Sequence, residues 1–405
     1  MKRVAIVTTH PVQYHSHWFG AISRQPGIDL EVLYCHRLTD REQAAAGFRV
    51  AFAWNVPLLD GYRYRFLENV ARRPGLDHVS GIDTPELREL IPQYDAVVVN
   101  GWHYKSAWQA IIACWRRRIP VFGRGDSHLL TPRPLLKRLV KEPVYRAFIS
   151  RFSGCLAAGK WSVEYFRHYG AAADRVFFVP HCVDEKRFEI GPEEGRADRE
   201  QWRRSLSIPG DAIVFLFSGK ILSGKRPFDF IQAICAAAKV NPRIAGLMLG
   251  DGPLLPECLS AIATSHAPVF LAGFVNQSEL PHAYKAADAM VFPSEAETWG
   301  VVVNEAMLSG LPCFVSDGVG AGPDLIRAGE TGEIFPVGDV ETLTSILVKY
   351  AADPGRMSAM GAQARQLLSG YSTQAAVDGF RAALDRTDRA KPPLEFAATG
   401  VGARR

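Results

Sequence analysis

The sequence predicts an α/β protein built as two doubly wound halves. Three observations carry this. Short apolar runs bounded by turn residues alternate with helical stretches. The same scheme restarts near residue 213, after a polar stretch. At 405 residues, with 47% apolar and 22% charged positions, the chain is long enough for two domains of ordinary size.

In the first half the strand candidates are Val4–Thr9, Leu30–Tyr34, Ala96–Asn100, Pro120–Gly123, Cys155–Ala158 and Val176–Val179, with helical patterns at 106–118 and 161–170. The second half offers Ile213–Phe217, Ala245–Leu249, Val269–Leu271, Ala289–Phe292, Cys313–Ser316 and Glu333–Phe335, then helical runs at 339–351, 355–369 and 373–387. Two such halves make two Rossmann-like domains, 1–190 and 208–370, facing across a cleft. The polar, turn-prone stretch Glu189–Ser207 contains the expected linker, 191–207. The tail 391–405, with Pro392-Pro393 and a basic end, is expected to be flexible.

Composition narrows the function. No apolar run approaches the roughly 20 residues of a membrane span, and Met1-Lys2-Arg3 leads straight into a strand pattern rather than a secretion signal. Seven cysteines are scattered singly, with no Cys-x-x-Cys and no Cys/His cluster, so no metal is expected and a reducing cytoplasmic setting is. Residues 1–190 carry 27 Lys and Arg against 18 Asp and Glu (+9), while residues 191–405 carry 20 against 24 (−4). A basic first half suits an anionic partner; no nucleic-acid module is recognisable, so nucleic acid is not expected. In residues 133–151, Leu135, Leu136, Leu139 and Val140 share a helix face flanked by Arg133, Lys137, Arg138 and Lys141, with Pro143 shortening the helix. This is either an anionic-membrane contact, giving a peripheral protein at the inner face of the cell membrane, or a layer helix with a solvated outer face.

Doubly wound sheets bind ligands at the carboxyl ends of their strands. After the first strand stands Thr9-His10-Pro11-Val12-Gln13-Tyr14-His15 instead of Gly-x-Gly-x-x-Gly, which argues against an NAD or FAD enzyme. No cofactor is expected. The next loops carry Gly101-Trp102-His103-Tyr104 and Gly123-Arg124-Gly125-Asp126-Ser127-His128, polar clusters facing the same cleft. His10, Arg124, Asp126 and His128 are the acceptor-side candidates.

The stretch Val291–Pro312 holds Glu297 and Glu305, eight residues apart, around Trp299-Gly300-Val301. On one straight helix the two carboxylates would stand ~12 Å apart and ~80° around the axis. Hydrolytic pairs are about 5 to 9.5 Å apart, so these are not a glycosidase pair. A better reading puts Glu297 on the loop and Glu305 inside the following helix. The unpaired N–H groups at Trp299, Gly300 and Val301 then face an anionic, hydroxyl-rich ligand.

Glu-x7-Glu followed by Ala-Met-x-x-Gly-x-Pro resembles the signature of the retaining nucleotide-sugar glycosyltransferases of family 4 (group 1), which have the GT-B fold. Here Glu297-Thr298-Trp299-Gly300 keeps the aromatic-Gly step and lacks the usual first Gly. Further matches follow in order. Gly219-Lys220 through Lys225 resembles the donor-phosphate loop, with Lys where Arg is commoner, and Pro227 suits the first helical turn. Gly250-Asp251-Gly252-Pro253 and Gly273-Phe274-Val275 resemble the G-x-G-P and G-x-V turns, the latter near the base. Gly318–Gly322 resembles the family's Gly-rich turn near the diphosphate, and Val179–Asp184 with Phe188 its interdomain hinge, which carries no obvious chemistry.

The resemblance implies a nucleotide-diphosphate sugar as co-substrate and a carbohydrate or glycolipid acceptor. Lys220 and Lys225 would hold the diphosphate, Glu305 the ribose hydroxyls, and Glu297 with the Thr298–Val301 loop the sugar. His103 would approach the sugar from the first domain. Together with Gly219, Gly250, Gly252 and Val275 these make up the catalytic and donor-binding candidates. The last helix, 371–390, would cross back to the first domain. Two readings remain beside transfer: a GT-B-like subunit that binds without turnover, and a phosphorylase or epimerase on the same fold.

Overall fold

The computed structural model describes residues 1–38, 54–130 and 135–389. The first domain is a seven-stranded parallel sheet of β1 (Lys2–Thr8), β2 (Ile28–Tyr34), β3 (Arg63–Phe66), β4 (Ala96–Asn100), β5 (Val121–Gly125), β6 (Gly154–Ala157) and β7 (Val176–Phe178), in spatial order 3-2-1-4-5-6-7. The second is a six-stranded parallel sheet of β8 (Ile213–Ser218), β9 (Ile244–Leu249), β10 (Val269–Gly273), β11 (Ala289–Phe292), β12 (Cys313–Ser316) and β13 (Gly332–Phe335), in order 10-9-8-11-12-13. Both orders reverse beside the domain's first strand, between β1 and β4 and between β8 and β11. Those switch points are where a doubly wound sheet opens a crevice.

Continuous apolar runs become central strands because helices cover both faces. In β1, Ala5 and Val7 enter one core while Val4 and Ile6 enter the other. The helices are α1 (Gln13–Ser23), α2 (Leu87–Leu90), α3 (Lys105–Arg117), α4 (Leu135–Ile149) and α5 (Lys160–His168) in the first half. After them come α6 (Pro192–Ser205), α7 (Pro227–Val240), α8 (Leu255–Ser265), α9 (Leu280–Tyr284), α10 (Val301–Leu308), α11 (Gly322–Leu325), α12 (Val340–Ala351), α13 (Pro354–Leu367) and α14 (Thr373–Arg389).

Helix α14 belongs to the first domain's core. Val377, Phe380 and Leu384 are buried with Trp18 and Val4, contributing about 1.5–3 kcal/mol each. Gly379 lets the helix lie on β7, since a Cβ there would stand 1.8 Å from Phe178 O.

Several expectations are corrected. The stretch read as a turn-prone linker folds as α6, and Arg199 and Arg203 hold it to Asp288 at 2.7 and 2.9 Å. Its end signals were present: Pro192 at the start, Glu193 and Glu194 in the first turn, Arg203 and Arg204 in the last. Pro143 does not shorten α4 but sits inside it. Lys141, expected on a basic outer face, lies over the rings of Tyr145, Tyr165 and Tyr169. Edge strand β3 was missed because Arg-Tyr-Arg-Phe is no apolar run; Arg63 and Arg65 pair with Asp29 and Glu31 on β2. Residues 131–134 and the expected flexible tail 391–405 lie outside the described residues.

Candidate active site

Three strand ends of the second sheet are knitted together. Gly219 N donates to Leu249 O at 3.0 Å, Ile221 N to Asp251 O at 2.9 Å, and Gly250 N to Gly273 O at 2.7 Å. The knit demands glycine. A Cβ on Gly250 would stand 1.9 Å from Gly219 O, on a residue with φ of +145°, and one on Gly252 would stand 2.4 Å from Ile221 O. These glycines therefore close the loops that present Lys220.

Lys225 ends a short turn just before α7, and its Nζ is ion-paired with Glu297 Oε1. The same carboxylate oxygen accepts from Ser294 Oγ at 3.0 Å. Burial, with the Lys220 charge adding to it, pushes the Lys225 ammonium down to about 8; burial lowers Lys220 as well. Glu297 is braced from behind by the glycine run. Glu297 N donates to Gly318 O at 2.9 Å and Gly320 N to Glu297 O at 3.1 Å. A Cβ on Gly320 would stand 2.0 Å from Thr298 O.

Gly300, at φ of +95°, starts α10, so Glu297 lies on the loop and Glu305 in the helix, as the sequence indicated. Glu305 is buried, with the Tyr284 hydroxyl 3.3 Å from Oε2 and 2.8 Å from Ser218 Oγ. Burial raises the Glu305 carboxyl to about 7, opposed by the Arg187 charge and the Tyr284 bond. Arg187 is itself fixed by Gln277, through O at 2.6 Å and Oε1 at 2.7 Å. A cavity of about 210 Å³ brings together Gly219, Lys220, Gly250, Val275, Val301 and Glu305.

The first domain contributes a cavity of about 520 Å³ lined by His10, Tyr14, His15, Arg124, Asp126 and His181, with Lys220 reaching in from the other side. Asp126 Oδ2 accepts from Thr298 Oγ1 at 2.9 Å and meets His181 Nε2 at 3.2 Å. Against the cost of burial, these bonds bring Asp126 down to about 2. Arg124 is buried, its guanidinium 4.7 Å from the Trp18 ring. Gln13, Tyr14, Trp54 and Lys220 line both cavities, so the two share a wall.

Not every candidate converges. His103 is exposed, rests on Tyr104, and lines a separate cavity of about 180 Å³. His128 packs against Trp161 outside the large cavity. Trp299 is buried between the domains: its Nε1 donates to Asn304 Oδ1 at 2.8 Å, and a Cβ on Gly159 would stand 2.3 Å from its ring. Sequence reasoning missed Tyr14, His15, His181, Arg187 and Tyr284. The first two sat in a run singled out for lacking glycines, from which only His10 was taken as a candidate. His181 and Arg187 lie in the junction read as a hinge without chemistry. Tyr284 had no local signal.

Residues 198–367 match the family model described as glycosyl transferases group 1. They belong to that family. Around this glycosyltransferase domain the chain resembles a D-inositol 3-phosphate glycosyltransferase of Thermomonospora curvata, at 29% identity over 319 residues, 74% of this chain and 71% of the relative. The Streptomyces bingchenggensis protein of the same name is 32% identical over 212 residues, 50% of this chain and 45% of the relative, so that match spans about half of the curated relative. Among solved structures, Anabaena HepE in complex with UDP and glucose aligns with a TM-score of 0.71 at 16% identity, covering 95% of this chain and 100% of that one. Sucrose-phosphate synthase from Thermosynechococcus elongatus aligns at 0.68 and 18%, covering 96% and 100%. These likenesses show the fold, GT-B. Among the described residues no helix is long and apolar enough to cross a membrane.

Proposed function

We propose that this chain transfers a sugar, with retention of configuration, from a nucleotide-diphosphate sugar to a hydroxyl of a carbohydrate or glycolipid acceptor. The observation that carries it is the shared wall. Lys220 and Tyr14 border both the Glu305 cavity of the glycosyltransferase domain and the large cavity of the first domain. A donor held by one domain would meet an acceptor held by the other at a cation. Solved neighbours titled as complexes with UDP, and with UDP-glucose, support a diphosphate donor.

In this reading Lys220 and Lys225 offset the diphosphate charge as the sugar–phosphate bond breaks. Glu305 takes ribose hydroxyls, and Glu297 orients the sugar. The one carboxylate lining the large cavity, among the described residues, is Asp126, and its Oδ2 is occupied by Thr298 and His181. This supports a front-face reaction without a covalent intermediate. The C1–oxygen bond to phosphate breaks with its electrons going to phosphate. The acceptor oxygen bonds C1 on the same face, and the departing phosphate oxygen takes the acceptor proton. The two lysines would supply the positive charge without a metal. A peripheral contact with an anionic membrane face belongs to the same reading, made through 133–151, where the exposed Arg146 and Arg151 would meet it.

The test is a panel of nucleotide sugars. One of them should raise the melting temperature most and be slowly hydrolysed, with hydrolysis lost in K225A and E297A and unchanged by EDTA. NMR of the transfer product should show the donor's anomeric configuration. Tight binding without turnover would favour the subunit reading instead, and inverted product would reject retention. Failure to sediment with anionic vesicles would remove the membrane contact.

A further inference from the structure

Arg124 is a buried cation whose charge Asp126 supports electrostatically without a direct ion pair. The residue is 4% exposed. Its Nη1 lies 3.2 Å from His15 Nε2 and 3.3 Å from Asn100 Oδ1, both neutral partners. Burial holds His15 well below its ordinary range, so the ring is uncharged and accepts the guanidinium hydrogen at Nε2. Arg124 Nε is buried without a partner. No carboxylate contacts the guanidinium among the described residues. A buried guanidinium is costly unless an anion completes it.

The groups around it are suited to an anion. Arg124, His10, His15, His181 and Lys220 line one cavity of about 520 Å³. The single acidic group there, Asp126, is engaged by Thr298 and His181. The guanidinium carbon lies over the Trp18 ring, 4.7 Å from its centre. Arg124 sits at the end of β5, next to the switch-point strand β4, and Asn100 at the end of β4 holds it in register.

We infer that the acceptor carries an acidic group, a phosphate monoester or a carboxylate, and that Arg124 binds it as the specificity-determining residue of the acceptor cavity. This rests on the transferase reading only in calling the ligand an acceptor. The planar fork suits two oxygens of one acid, which a lysine would contact as a point charge.

The experiment measures affinity of the full chain for paired probes, with and without saturating UDP: myo-inositol 1-phosphate against myo-inositol, and glucuronate against glucose. In the wild type at least one acidic probe is expected to bind ~10-fold or more tightly than its neutral partner, the range of a charge-assisted contact. The phosphate and carboxylate arms identify which acid it is. R124Q should erase the difference and R124K should keep part of it, with UDP affinity in both within about threefold of the wild type. No discrimination by the wild type overturns the proposal even if R124Q fails to fold. Undiminished discrimination in R124Q, or a loss of UDP affinity as large as the loss of acid affinity, overturns it too; the latter would give Arg124 to the donor. Failure of every nucleotide of the donor panel to bind the wild type would instead sink the transferase reading, while discrimination without nucleotide is read independently.

Discussion

Lys225 and Glu297, 72 residues apart in the chain, form an ion pair between the turn before α7 and the loop before α10. In the absence of ligand each neutralises the other, and a donor would divide them: the diphosphate drawing Lys225, the sugar hydroxyls engaging Glu297. E297Q should therefore leave UDP affinity within about threefold of the wild type and weaken the UDP-sugar by ~10-fold or more, one charge-assisted contact's worth. K225M should weaken both. Calorimetric titration of the two ligands checks this; equal losses in E297Q would show that Glu297 does not touch the sugar.

Donor affinity should fall above pH 8. Burial and Lys220 push Lys225 down to about 8, a fall that the Glu297 carboxylate paired with it opposes, and a bound diphosphate would raise it again. Binding then takes up a proton once the free enzyme has lost one. The logarithm of Kd for UDP should be level below about pH 8 and rise toward one unit per pH unit above it. In K225M that rise should be absent.

Glu305 should make the free protein less stable in mild alkali. Its carboxyl lies at about 7 against an ordinary 4.5 because it is buried. The folded state thus favours the protonated form, a contribution complete below 4.5 and lost as pH rises through about 7. The whole span corresponds to roughly 3 kcal/mol. E305Q removes the ionisation, so its melting temperature relative to the wild type should increase from pH 5 to pH 8. Parallel curves would show that the side chain is better solvated than its burial implies.

Gly250→Ala should cost on the order of 3 kcal/mol, from a forbidden φ and a Cβ 1.9 Å from Gly219 O. Gly224→Ala, with nothing within 4 Å of its Cβ position, should cost far less. Urea midpoints of the two variants compare them directly, and similar losses would mean that the strand-end knit is not the constraint on Gly250.

Much of this was legible in the sequence. Apolar runs such as Ala96–Asn100, Ala289–Phe292 and Cys313–Ser316 coincide with strands, because a parallel strand covered on both faces needs a continuous apolar run and little else. The second domain's site residues also travel together: Lys220, Lys225 and Glu297 sit on short strand-to-helix turns and Glu305 in the helix that follows, and the glycines and helix starts that set them are local features. Tertiary structure decided what local features cannot encode. Trp299 fills the space left by Gly159, 140 positions earlier, so it serves the domain interface. His181 looked like a hinge residue until folding set it against Asp126. Arg124 became a buried cation only when Trp18 and His15 of α1 and Asn100 of β4, from two other parts of the chain, closed around it. Strand and turn chemistry is written over a few neighbouring residues, whereas burial and charge pairing depend on which distant segments the fold brings into contact.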